Sequence, residues 1–77
     1  MISLNGRHEE RFKKIGRNIK DFRIKKNLTQ QELAERVGIS LSYLSKIEAE
    51  NCNKSFSLHV LFDIADALGV DVKEFFN

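Results

Sequence analysis

The sequence predicts an all-α fold, a compact bundle of five helices. Three observations lead there. Apolar residues recur at spacings of three and four, the repeat of a helix with one buried face. Ser, Thr and Asp stand before these stripes, and Gly or Asn after them, as helix starts and stops require. The 77 residues contain no proline and four glycines, and helix formers abound. At 42% hydrophobic and 31% charged, the composition is that of an ordinary folded domain, and the length suits one small domain. Residues 1–8 are expected to form an N-terminal tail and residues 9–77 the domain.

Phe12, Ile15, Ile19 and Phe22 put an apolar stripe on a first helix from about Glu9 to Lys26. Its last turn, Arg23 to Lys26, is rich in cations, which suits a helix C-terminus. Asn27 can take the left-handed conformation that ends a helix. Thr29 opens the second helix. "TQQE" has the pattern of a capping box, in which Thr29 and Glu32 satisfy each other's backbone amides. Leu33, Ala34 and Val37 form its buried stripe, and Gly38 stops it in a conformation that disfavours a Cβ. Ser40 caps the third helix, "SLSYLSKIEAE", with Leu44 and Ile47 facing inward and Leu41, Ser42, Ser45 and Lys46 on other faces. "AENCNKSF" has no periodicity and reads as a loop of about seven residues. Ser57 caps a fourth helix with the stripe Leu58, Leu61, Ile64, Ala65 and Leu68, closed by Gly69. Asp71 caps a short fifth helix, "VKEFF".

Two short helices joined at Gly38 form a helix-turn-helix signature, and the small Ala34 lets them approach closely. Charge is distributed unevenly. Residues 1–28 hold nine Lys/Arg against three Asp/Glu, whereas residues 29–77 hold four against eight. A basic front half suits a polyanionic partner, and equally a solvated helix face. No stretch approaches the roughly 20 apolar residues of a membrane span. The N-terminus lacks the apolar core of a signal peptide, so the cytoplasm is the expected location. Catalysis and metal binding are not expected. His8 and His59 are far apart, "HEER" is not HExxH, Cys52 has no CxxC partner, and no glycine-rich phosphate loop is present. No cofactor or small-molecule ligand is expected.

"LTQQELAERVGIS" together with "LSKIE" resembles the Cro/repressor (Xre-type) helix-turn-helix family, and the resemblance runs from about Ile15 through Phe75. It includes Arg23, "LTQ" at 28–30, "LA" at 33–34, Gly38, Ser40, "IE" at 47–48 and the run from Ser57 to Val70. The family pattern is departed from at Glu50, where glycine is usual, and at Phe56, where proline is common, and the intervening loop is about two residues longer. The resemblance implies a lambda-repressor-like fold. It implies that the third helix enters the major groove of double-stranded DNA while the second crosses the phosphate backbone. Base contacts then fall to Leu41, Ser42 and Lys46. Lysine can donate to guanine, serine can bond either way, and leucine can meet a thymine methyl. Backbone contacts fall to Thr29, Gln30, Gln31, Ser40, Asn51, Asn53 and Lys54. Tyr43 has two readings, a hydroxyl on a phosphate or a ring in the core. The resemblance also pairs Arg23 with Glu48 in a structural ion pair.

The expected function is a sequence-specific transcriptional repressor that binds a palindromic operator as a homodimer. Val70, Val72, Phe75 and Phe76 crowd at the C-terminal end, more than so small a core can bury, and Val72, Phe75 and Phe76 are the expected dimer interface; the other reading is that Phe75 plugs the core and Phe76 is merely exposed. The alternative is an antitoxin or adaptor whose surface grips another protein.

Overall fold

The computed structural model describes residues 8–49 and 56–77. Four α-helices, α1 (Glu9–Lys25), α2 (Gln30–Val37), α3 (Leu41–Glu48) and α4 (Leu58–Leu68), precede a 3₁₀ helix at Val72–Phe76. The expected fifth α-helix is corrected. Asp71 does cap it, its carboxylate accepting from the Lys73 amide at 3.0 Å, but its carbonyl accepts from the Glu74 amide, the i→i+3 bond of a 3₁₀ turn. Five residues are too few for α-helical bonds to outweigh the cost of nucleation. Among the described residues there is no strand, and no helix is long and apolar enough to cross a membrane.

One closing device repeats. At the end of α1 the Leu28 amide reaches back to the Arg23 carbonyl and the Asn27 amide to Ile24, with Asn27 at φ 59°. After α2 the Ile39 amide reaches Ala34, and after α4 the Val70 amide reaches Ala65, around Gly38 and Gly69 in the left-handed region. These are Schellman closures, each followed by an apolar residue. Leu28, Ile39 and Val70 all join the core or pack against it. Leu28 and Ile39 also stand just before the caps Thr29 and Ser40, in the position that staples against the first turns of α2 and α3. One apolar residue thus closes one helix and opens the next.

The core contains Ile15, Ile19, Leu28, Leu33, Ala34, Leu44, Ile47, Leu61, Ile64, Ala65, Leu68 and Phe75. Helix α1 packs against α3 and the 3₁₀ helix, and α2 against α3 and α4. Phe75 is fully buried at 0% exposure, its ring edge-on to Phe22 with centroids 5.9 Å apart. Asn18 on α1 holds that end in place by donating to the carbonyls of Phe75 at 2.8 Å and Asn77 at 3.0 Å. Gly16 is buried where α1 crosses α3, and a Cβ there would run into the Ile47 carbonyl. That backbone oxygen cannot turn aside as a flexible side chain could.

Gly16→Ala is therefore expected to destabilise the fold by about 2–3 kcal/mol through overpacking, although alanine is the better helix former by about 1 kcal/mol. Urea unfolding of the two proteins measures the difference. A variant as stable as the parent would show that α1 and α3 can separate at no cost.

Candidate nucleic-acid interface

The elbow between α2 and α3 is built from local rules. The Thr29 hydroxyl accepts from the Glu32 amide at 3.0 Å, and the Glu32 carboxylate accepts from the Thr29 amide at 2.9 Å. These contacts, the Thr29 amide first and its side chain second, hold the Glu32 carboxyl below its ordinary value of 4.5. Gly38 turns the chain at φ 83°, and Ser40 caps α3 by accepting from the Tyr43 amide at 3.0 Å. Helix α3 then divides by face. Leu44, Ile47 and Glu48 are buried, Tyr43 and Ser45 half-buried, and Leu41, Ser42 and Lys46 exposed. The three residues expected to meet bases are thus the three exposed residues of α3. Leu41 keeps 43% of its surface exposed, an apolar side chain on an otherwise polar face.

What holds that face in place is a buried charge pair. Arg23, 9% exposed on α1, donates through Nε to Glu48 Oε2 at 2.9 Å and through Nη2 to Oε1 at 3.0 Å. Its Nη1 donates to the Leu28 carbonyl at 2.7 Å, so one guanidinium joins α1, the entry to α2 and the end of α3. Glu48 is 5% exposed, and among the described residues no buried side-chain nitrogen or oxygen lacks a partner. Both charges are therefore satisfied, which burial of ions demands.

The expected phosphate contacts sort by their partners within the fold. Thr29 and Ser40 are exposed but serve as caps. Gln31 is exposed and donates to Glu35 at 3.2 Å, one turn on. Gln30 is half-buried, and its amide is held by partners on α3. Nε2 donates to Glu48 Oε1 at 3.0 Å, and Oε1 accepts from the Ser45 hydroxyl at 3.0 Å. For Tyr43, the ring packs against the core. Asn51, Asn53 and Lys54 lie outside the described residues. The sequence reading missed Ser45, although it stands three residues from Glu48 and so shares its side of α3. On α1, Lys13 pairs with Glu9 at 3.2 Å and Glu10 at 3.7 Å, and Lys25 lies over the Phe22 ring. The basic excess of the front half is thereby partly spent within the fold.

The expected dimer interface changes as well. Phe75 is a core residue and cannot face a second copy, because α1 and the 3₁₀ helix close around it. Val72 is half-buried against the core. Phe76, 53% exposed, remains available. It lines a groove of about 600 Å³ with Phe12, Ile15, Phe56, Leu58 and Leu61, edged by His8, Arg11 and Lys14.

Removing one member of the buried pair strands the other charge. Glu48→Ala is expected to cost about 3–5 kcal/mol, whereas Arg23→Met combined with Glu48→Leu should cost much less because no ion is then left unpaired. Thermal unfolding of the single and double variants compares them. A double variant no more stable than Glu48→Ala would refute this account.

Comparisons with known proteins agree with the geometry. A family model described as Helix-turn-helix matches residues 19–75. The immunity repressor protein of Bacillus phage phi105 is 43% identical over 58 residues, covering 75% of this chain and 39% of that protein. The HTH-type transcriptional regulator SinR of Bacillus licheniformis is 38% identical over 63 residues, covering 82% and 56%. This chain thus spans less than two thirds of the length of either relative. The crystal structure of the restriction-modification controller protein C.AhdI from Aeromonas hydrophila superposes with a TM-score of 0.78 at 29% identity, over 84% of this chain and 96% of that one. With a match over most of its length and the capped α2–Gly38–α3 elbow at its centre, the chain belongs to the helix-turn-helix family of the Xre/Cro type.

Proposed function

We propose that this protein is a sequence-specific DNA-binding transcriptional regulator, acting as a repressor, with α3 in the major groove. The observation that carries this reading is the outer face of α3. Leu41, Ser42 and Lys46 stand exposed on a helix whose other side is fixed by a buried ion pair. Base reading needs side chains that reach out from a rigid element, since a loosely held helix would spend its binding energy on becoming ordered. Names among the relatives point the same way: an immunity repressor, a transcriptional regulator and a controller protein.

A single α3 covers only a few base pairs, too little information to find one operator among many competing sites. Two copies related by a two-fold axis double it, with half-sites about 34 Å apart or a multiple of that. We assign the dimer contact to Phe76 and Leu58 in the apolar groove, extended by Phe62 one turn along α4. These three are among the exposed large apolar residues, and an exposed apolar cluster is costly unless something covers it.

Selection of bound sequences from a random DNA pool tests the reading directly. Affinity for the selected site should fall at least about tenfold from 50 to 200 mM salt, as counterions released from phosphates oppose binding. Lys46→Ala should cost about 1–3 kcal/mol at one base pair and flatten the preference there. Equal weakening on every sequence would mean that α3 does not read bases. Phe76→Glu should turn a sedimenting dimer into a monomer, because it places a charge in an apolar contact. A parent protein that is monomeric at tens of micromolar, bound one copy to an asymmetric site, would end the dimer assignment.

A further inference from the structure

We propose that Ser45 is a positioning residue, whose hydroxyl together with the Glu48 carboxylate holds the Gln30 side chain as a fixed donor to a DNA phosphate. This rests on the DNA-binding reading above and goes further by naming how one backbone contact is set. The bonds themselves decide the orientation of the amide. Glu48 Oε1 already accepts from Arg23 Nη2, and a carboxylate paired with arginine has no proton to give. The atom of Gln30 that meets it at 3.0 Å must therefore be the nitrogen. That places Gln30 Oε1 against the Ser45 hydroxyl at 3.0 Å, which can donate. An amide nitrogen carries two hydrogens, and Glu48 takes one. Among the described residues the second meets no other acceptor.

Gln30 is half-buried and Ser45 half-buried, on different helices fifteen residues apart. A glutamine at the surface normally samples several rotamers, and binding must then order it. Here that ordering is done before DNA arrives. The donor is set from α3, the same helix that carries Leu41, Ser42 and Lys46. The backbone grip of α2 and the base-reading face of α3 are thereby held in one register. A free serine on the outer face would instead be a base contact, but the Ser45 hydroxyl is turned to α2.

The test uses the full chain, the DNA site selected from a random pool and three variants: Ser45→Ala, Ser45→Thr and Gln30→Ala. Ser45→Ala should weaken binding about fivefold, the worth of one neutral hydrogen bond, and equally on selected and unrelated sequences. Gln30→Ala should weaken all sequences and lower the salt slope by about one phosphate. Combined with Gln30→Ala, Ser45→Ala should cost nothing more, and Ser45→Thr should restore binding because it keeps the hydroxyl. In the free protein, the paired side-chain amide signals of Gln30 in a nitrogen–proton spectrum should shift and sharpen toward those of a mobile amide in Ser45→Ala, while the backbone spectrum stays in place. Three results overturn the proposal: additive losses in the double variant, a changed base preference in Ser45→Ala, or an unmoved Gln30 amide. A parent protein that retains no DNA from the pool at low salt would fail the DNA reading itself. A parent that binds, with Ser45→Ala indistinguishable from it, would fail this proposal alone.

Discussion

The presentation of α3 depends on two opposite charges placed where water cannot solvate them. Burying Arg23 and Glu48 is costly, and the cost is met only if every donor and acceptor finds a partner in good geometry. The guanidinium meets that demand in one arrangement: two bonds to Glu48 and one to the Leu28 carbonyl. Because those groups come from the end of α3, the last turn of α1 and the link before α2, satisfying the charge fixes three elements at once. An apolar pair could fill the same space at a much smaller cost than one stranded charge, but it would offer none of these directed bonds. The Gln30 and Ser45 bonds extend the network from the buried pair to the surface.

Around this pair the remaining elements solve a problem of length. Helices of eight residues such as α2 and α3 are marginal alone, since a costly nucleus is repaid by few backbone bonds. Both begin with a side-chain cap, and the stop of α2 feeds directly into the start of α3. Ile39 and Leu28 bury themselves at those junctions, so the turn is part of the core rather than a loop over it. The result is a rigid elbow that exposes one short polar face. Gly16 completes it from behind by letting α1 lie against α3 without a Cβ between them.

Much of this was readable from particular residues. The capping box at Thr29 and Glu32, the stops at Asn27, Gly38 and Gly69, and the caps Ser40, Ser57 and Asp71 all follow from local backbone chemistry and appear where the pattern placed them. The division of α3 into faces followed from its period, and the exposure of Leu41, Ser42 and Lys46 agrees with it. Gly16 stood outside that reading, although a glycine inside a good helix weakens it and needs a reason. Its reason, the Ile47 carbonyl, lies on another helix.

Sequence alone determined where helices start, stop and turn their apolar sides, because those choices depend on groups within a few residues of each other. Tertiary structure decided what no local rule can reach. It chose Phe75 over Phe76 for the core, because only one of two adjacent aromatics can point at Phe22. It tied the last segment to α1, because Asn18 donates to the carbonyls of Phe75 and Asn77. It also fixed the orientation of the Gln30 amide, because Ser45 and Glu48 arrive from a helix that the sequence places fifteen and eighteen residues away. Spacing of three and four tells which way a side chain leaves its own helix. What it meets there depends on how the helices cross, and that is set by the packing of the whole core.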